Sequence, residues 1–193
     1  DIENLGRFPG NAHYSSGNLG ATFRVIPGEV ADIISLGHQD AVLKICDMDA
    51  GLVLITGTTG SGKSTTLSSL VQTIANRRAG VIMTVEDPIE FVLHSNLALI
   101  KQREIGHDTH SYQHALRHIL RQDPDVIVIS EMRDRDTIQA AITAAETGHL
   151  VISTLHTIDA PKAINRIVDV FPADQQNQII TQLASSLRAV LSQ

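Results

Sequence analysis

The stretch GLVLITGTTGSGKSTTLSSLVQTIANRR (51–78) decides how the rest of the chain is read. Its first six residues, GLVLIT, form an apolar run without polar alternation, as expected of a strand buried on both faces. GTTGSGKST (57–65) then satisfies G-x-x-x-x-G-K-[ST] through Gly57, Gly62, Lys63 and Ser64, and a helix-like stretch over 63–78 follows. Strand, glycine-rich loop and helix in that order make a phosphate cradle. The glycines let backbone N–H groups turn inward, and the helix N-terminus adds its positive dipole end. Lys63 is placed to reach the β and γ phosphates of a nucleotide and Ser64 to ligate Mg²⁺, with Thr58, Thr59, Gly60, Ser61 and Thr65 completing the loop. The competing reading is a Gly/Ser turn that binds nothing, and the flanking strand and helix argue against it.

Three more short apolar runs lie outward from this unit: GVIMTV (80–85), DVIVIS (125–130) and HLVIST (149–154). Helical patterns separate them. SYQHALRHILRQ (111–122) has Ser111 as a candidate N-cap, and DRDTIQAAITAAETG (134–148) runs from an acidic start to Gly148. Such alternation predicts an α/β fold with a mostly parallel sheet covered by helices, occupying residues 51–193. Ahead of it, residues 1–28 are rich in Gly, Asn and Ser, with a strand expected at ATFRVIP (21–27). Between 29 and 50, Ile33, Ile34, Leu36, Val42, Leu43 and Ile45 suggest short helical pieces forming a link to the main domain. The chain opens on Asp1 and stops in LRAVLSQ (187–193), which reads as helix, so a fragment of a longer protein is expected.

Composition narrows the classes. The 193 residues carry 15 Lys and Arg against 21 Asp and Glu, a net charge of -6, which is no nucleic-acid footprint. With 42% hydrophobic and 19% charged residues the chain is an ordinary globular one. No apolar run approaches the roughly 18 residues of a spanning helix, so no direct membrane insertion is expected. Cys46 is the only cysteine, which rules out an internal disulfide or a cysteine-based zinc site and suits a cytoplasmic address. It reads as buried filler.

The acidic segment VEDPIEF (85–91) puts Glu86, Asp87 and Glu90 just past the end of the second run, the edge at which open α/β sheets bind ligands. Read alone, it is as well a solvated acidic turn. DVIVIS ends at Glu131, the apolar-strand-then-acid pattern that orients water or holds hydrated Mg²⁺. In TGHLVISTLHT (147–157), His149 and His156 bracket the fourth run and stand too far apart to share one small ion. His156 is the better candidate for sensing a γ phosphate; His149 fits a helix C-cap or a satisfied surface histidine equally well. His110, His114 and His118 recur at four-residue steps, but on the polar side of their helix with no acidic partner, so a metal reading is rejected.

With these residues in hand, the sequence resembles the hexameric ATPases of the type II/IV secretion superfamily, and most closely the pilus-retraction type. The resemblance covers nearly all of residues 20–193 and rests on four ordered motifs: Walker A GTTGSGKST, the acidic box TVEDPIEF, the Walker B element DPDVIVISEMRD and the His box TGHLVISTLHT. QREIG (102–106) and RIVDVFPADQ (166–175) look like retraction-type members. The resemblance implies a RecA-like core preceded by the end of a PAS-like domain (1–28). It implies a homo-hexameric ring that hydrolyses ATP with Mg²⁺ to retract a type IV pilus, peripheral at the inner membrane through a platform protein. Carried over, Lys63 and Ser64 hold phosphate and metal, Glu131 is the Walker B glutamate and a metal-site residue, and Glu86 is the acidic-box glutamate, flanked by the motif residues Asp87 and Glu90. His149 and His156 match the His box, and Arg24 in FRVIP matches an arginine that approaches the γ phosphate. A further family arginine falls where this sequence has Pro9, and Ser130 replaces the usual glycine before Glu131. The alternatives are a type II or type IV secretion or pilus-assembly motor, and a nucleotide-dependent assembly switch with little turnover.

Overall fold

The structure is a computed structural model and describes residues 8, 10–23, 30–37 and 40–193. Its centre is a six-stranded sheet. The apolar run GLVLIT is β3 (Gly51–Thr56), after the short elements β1 (Gly10–Ser15), β2 (Asn18–Phe23) and α1 (Asp40–Leu43). It leads through the glycine loop into α2 (Lys63–Arg77), then β4 (Gly80–Glu86) and β5 (Ala98–Glu104). The remaining elements are α3 (Tyr112–Ile119), β6 (Val126–Ile129), α4 (Arg135–Glu146), β7 (Leu150–Leu155), α5 (Ala160–Asp169), α6 (Ala173–Ser186) and β8 (Leu187–Ser192). The spatial order is β5-β4-β6-β7-β3-β8, and every neighbouring pair is parallel.

Each central strand feeds two cores, because successive side chains point to opposite faces. Leu52, Leu54, Met83, Val85, Ile127, Ile129 and Val151 pack on one side with apolar residues of α3, α4, α5 and α6. Val53, Ile55, Ile82, Val126, Val128, Leu150 and Ile152 pack on the other with Leu67, Leu70, Val71 and Ile74 of α2 and with Ile33, Val42, Ile45 and Cys46. Burial on both faces is why these strands read as unbroken apolar runs. Their boundaries fall within one residue of the expected ones: 149–154 becomes 150–155, and Asp125 and Ser130 lie outside β6. The helix N-caps follow the sequence signals: Ser111 accepts from the His114 N–H and Asp134 from the Thr137 N–H.

The chain's end departs from expectation. LRAVLSQ does not continue α6 but turns into β8, which pairs along the free edge of β3, Leu52 with Leu187 through Thr56 with Ser192. The open edge of a buried strand outweighs the helix propensity of Leu, Arg and Ala there. β5 carried no obvious signal because it is an edge strand, with Lys101 and Arg103 among its alternating residues. The strand expected at 21–27 is shifted: β2 ends at Phe23 and forms an antiparallel hairpin with β1, while 24–27 lie outside the described residues. In the linking segment, Ile33 and Ile45 are buried and Ile34 is exposed.

Two isoleucines give a test of this burial. Ile142 of α4 is fully buried and Ile180 of α6 is 49% exposed. Ile142→Ala is expected to cost about 2–5 kcal/mol and Ile180→Ala about 1 kcal/mol or less. Equilibrium urea unfolding of the two variants checks the difference.

Candidate functional site

The loop after β3 is shaped by its glycines at two points. Gly62, the residue before α2, sits at φ 96°, a left-handed conformation that disfavours any side chain. At Gly57 a Cβ would stand 2.7 Å from the Gln193 carbonyl oxygen and would also strike the Ser61 side chain. The loop therefore closes tightly on itself, with the Ser61 N–H donating to the Thr58 carbonyl at 3.2 Å. Lys63 folds back over it: Nζ donates to the same carbonyl at 2.8 Å, and the residue is only 6% exposed. Burial lowers the Lys63 pKa, opposed by the negative charges of Glu131 and Glu90. The hydroxyl of Ser61 is buried in the loop with no hydrogen-bond partner. A buried ammonium group over a glycine loop at a helix N-terminus is the arrangement an anion completes.

A cavity of about 600 Å³ opens over this loop. Thr59, Gly60, Gly62, Lys63, Ser64 and Thr65 line it from one side, and Glu86, Asp87, Glu90, Ser130, Glu131 and His156 from the others. It lies at the C-terminal edge of the sheet, where β3, β4, β6 and β7 all end.

The two central glutamates stand in opposite environments. Glu86 is 8% exposed, and its Oε1 accepts from Thr84 Oγ1 at 2.6 Å and Gln102 Nε2 at 2.9 Å. Burial raises its pKa above the usual carboxylate range despite those bonds. Burial acts in the same direction on Glu131, but there the Arg133 guanidinium and His156 outweigh it, and the carboxyl is held below its ordinary value. Glu131 Oε2 lies 2.7 Å from Arg133 Nη2 and 3.2 Å from His156 Nε2. One pKa pushed up and the other down is the usual arrangement of a site that needs two carboxyls in different states.

The sequence missed the side chains that hold these groups. Gln102 of β5 donates to the Phe91 carbonyl as well as to Glu86 and accepts from the Leu93 N–H, while Glu104 accepts from the Ile89 N–H. Two alternate residues of the edge strand thus fasten the acidic segment, whose Asp87–Pro88 bond is cis. Arg133 stood in the quoted ISEMRD but carried no role. Tyr112, at the start of α3, meets the Ser130 hydroxyl at 2.6 Å. Its pKa is raised by burial and by the charges of Asp87 and Glu131, against the Ser130 bond and Arg133, so the phenol keeps its proton at neutral pH.

His149 is not in this cavity. It precedes β7 at the opposite edge of the sheet, where Nδ1 lies 3.0 Å from the Ala144 carbonyl at the end of α4, the C-cap contact considered from sequence. It lines a separate hollow with Arg78, Asp123 and Asp125. Arg24 and Pro9 lie outside the described residues. His110, His114 and His118 meet with steeply tilted rings on the exposed side of their segment, and no three-residue cluster able to hold a metal occurs among the described residues.

A parallel α/β sheet with a phosphate loop after one strand and acids at the ends of two others, β4 and β6, defines a P-loop nucleotide-binding protein. The chain belongs to the family described as type II/IV secretion system protein, which matches residues 27–193. It is 47% identical over all 193 residues to the type IV pilus retraction ATPase PilT of Pseudomonas aeruginosa, covering 56% of that protein. It is 48% identical over the same length to a twitching motility protein of Neisseria gonorrhoeae, covering 52% of it. The chain thus spans about half the length of these curated relatives. The crystal structure of the pilus retraction motor PilT with bound ADP superposes with a TM-score of 0.95 at 46% identity, over 98% of this chain and 55% of that one.

The raised Glu86 pKa has a signed consequence. The folded protein holds this proton more tightly than the unfolded chain, so the cost of the buried charge is absent below the unfolded pKa. It grows as pH rises through the folded value. Glu86→Gln keeps an acceptor for Thr84 and Gln102 without the charge. Its melting temperature relative to the parent protein is therefore expected to climb from acidic to neutral pH in a thermal-melt series.

Proposed function

We propose that this chain is the ATP-hydrolysing core of a motor ATPase that retracts a type IV pilus, working as a homo-hexameric ring. The observation that carries the reading is the convergence of three separately encoded segments on one cavity: Lys63 and Ser64 after β3, Glu86 at the end of β4, and Glu131 after β6. The extent of the similarity to PilT supports retraction as the output.

In this reading the nucleotide's phosphates occupy the loop over Lys63, whose ammonium group leaves the Thr58 carbonyl to meet the β and γ oxygens. Removal of the Lys63 cation from water makes it a stronger partner for phosphate than an exposed lysine. Ser61 and the loop N–H groups supply further donors. Ser64 and Glu131 would hold Mg²⁺, directly and through water, and the ion would supply positive charge to offset that of the phosphates. Glu131, kept ionised by Arg133 and His156, orients the attacking water. Glu86, with Asp87 and Glu90 beside it, provides a carboxyl that retains its proton more readily. His156 senses the γ phosphate through its contact with Glu131, and Arg24 is assigned to the same phosphate from the family motif alone.

In the same proposal residues 1–28 are the end of a PAS-like domain, 29–50 a link and 51–193 a RecA-like core. None of the helices among the described residues is long and apolar enough to cross a membrane. Attachment at the cytoplasmic face of the inner membrane would then come through a pilus platform protein.

Two variants of the full-length protein test the chemistry. Lys63→Ala is expected to abolish phosphate release at saturating ATP. Glu131→Gln is expected to retain nucleotide binding and to lose at least about 100-fold in turnover, within the range by which positioned charges act in phosphoryl transfer. Comparing a binding titration with a hydrolysis assay separates the two steps; if Glu86→Gln alone stops turnover, the roles of the two glutamates are exchanged. In cells, removing a retraction motor is expected to leave pili extended, whereas removing an assembly motor is expected to leave none. Pilus counts in a deletion strain complemented with Lys63→Ala distinguish the outputs.

A further inference from the structure

Ser130 is held from three directions. Its N–H donates to the Val85 carbonyl of β4 at 2.9 Å. Its carbonyl accepts from Thr154 Oγ1 of β7 at 2.5 Å. Its hydroxyl meets the phenol of Tyr112 at 2.6 Å. The first two contacts tie the end of β6 to the strands on either side. The third reaches out of the sheet to α3, a helix fixed by its Ser111 cap and by Ala115, Leu116 and Ile119 in the core.

The residue so clamped immediately precedes Glu131, and both line the cavity. A serine hydroxyl has one proton to give and can accept from a second donor. A phenol is the more acidic partner, so the favourable arrangement has Tyr112 donating to Ser130 Oγ. That leaves the serine proton directed to a third group, and the cavity beside Glu131 is the polar space available to it. A glycine at this position would offer neither the anchor nor the donor.

We infer that Tyr112, acting through Ser130, is a positioning residue for hydrolysis: the pair fixes the backbone from which Glu131 projects and adds a hydroxyl donor to the floor of the site. The inference rests on the proposed ATPase reading and extends it to a helix that none of the four nucleotide motifs includes. Tyr112 does not touch phosphate. It acts on the geometry of Glu131, where small displacements carry large rate effects.

The test is a double-mutant cycle in the full-length protein, with Tyr112→Phe, Ser130→Gly and the pair. Tyr112→Phe keeps the ring and removes one hydrogen bond, so turnover is expected to fall about three- to tenfold, the scale of one such bond expressed in a transition state. KM for ATP and affinity for ADP should stay within about twofold, because the phosphate loop is untouched. The double variant should be no slower than the slower single variant, since both substitutions remove the same bond. Thermal melts accompany the kinetics. A loss of turnover that tracks a general loss of stability, with KM rising in parallel, would reduce Tyr112 to a packing residue and overturn the inference. Independent, multiplying effects of the two substitutions, or unchanged turnover in Tyr112→Phe, would also overturn it. Lys63→Ala serves as the control for the parent reading. If wild type hydrolyses ATP and Lys63→Ala does not, an inert Tyr112→Phe defeats this inference alone. If wild type shows no hydrolysis above Lys63→Ala, both readings fall together.

Discussion

The site depends on the register of four parallel strands. Ile82 of β4, Val126 of β6, Leu150 of β7 and Gly51 of β3 stand level across the sheet. Counting forward from that line, Glu86, Ser130 and Glu131, and Thr56 reach the C-terminal edge within a residue of one another. A slip of one residue in any pair would turn an apolar side chain from one core to the other, so burial on both faces enforces the alignment. The chemistry is thus fixed by a constraint that involves none of the chemical groups themselves.

That constraint also explains which parts of the molecule are legible in the sequence. Strands buried on both faces must be apolar throughout, so β3, β4, β6 and β7 are visible as runs, and the acids and the glycine loop can be placed at their ends. β5 and β8 flank the sheet and need no such composition. β8 reads as helix because nothing local in LRAVLSQ records the open edge of β3 that receives it. The loss of β5 hides Gln102 and Glu104, whose role comes from lying opposite the acidic segment in space. Their alternate spacing along a strand is the signal that would reveal them, once the strand is recognised.

The same logic separates the two histidines of one motif. His156 follows β7 and reaches Glu131, while His149 precedes it and closes the end of α4. The length of the intervening strand is enough to set them apart. At His149 the fold places the ring against the carbonyl of Ala144, a helix-cap contact made across the α4–β7 turn. Tyr112 is beyond the reach of sequence for a different reason. A tyrosine at the start of an amphipathic helix looks like core, and only the folded position of Ser130 gives its hydroxyl a partner.

The placement of β8 gives the phosphate loop a mechanical neighbour. Gln193, just past this strand, donates its N–H to the Thr56 carbonyl at 2.9 Å and its side-chain amide to Thr66 Oγ1 at 2.7 Å, and its own carbonyl oxygen crowds Gly57. β8 runs parallel to β3 and is held to it by rungs from Leu187 to Ser192. Through Gln193 the strand is thus joined to both ends of the nucleotide cradle, at Thr56 before it and at Thr66 just after it.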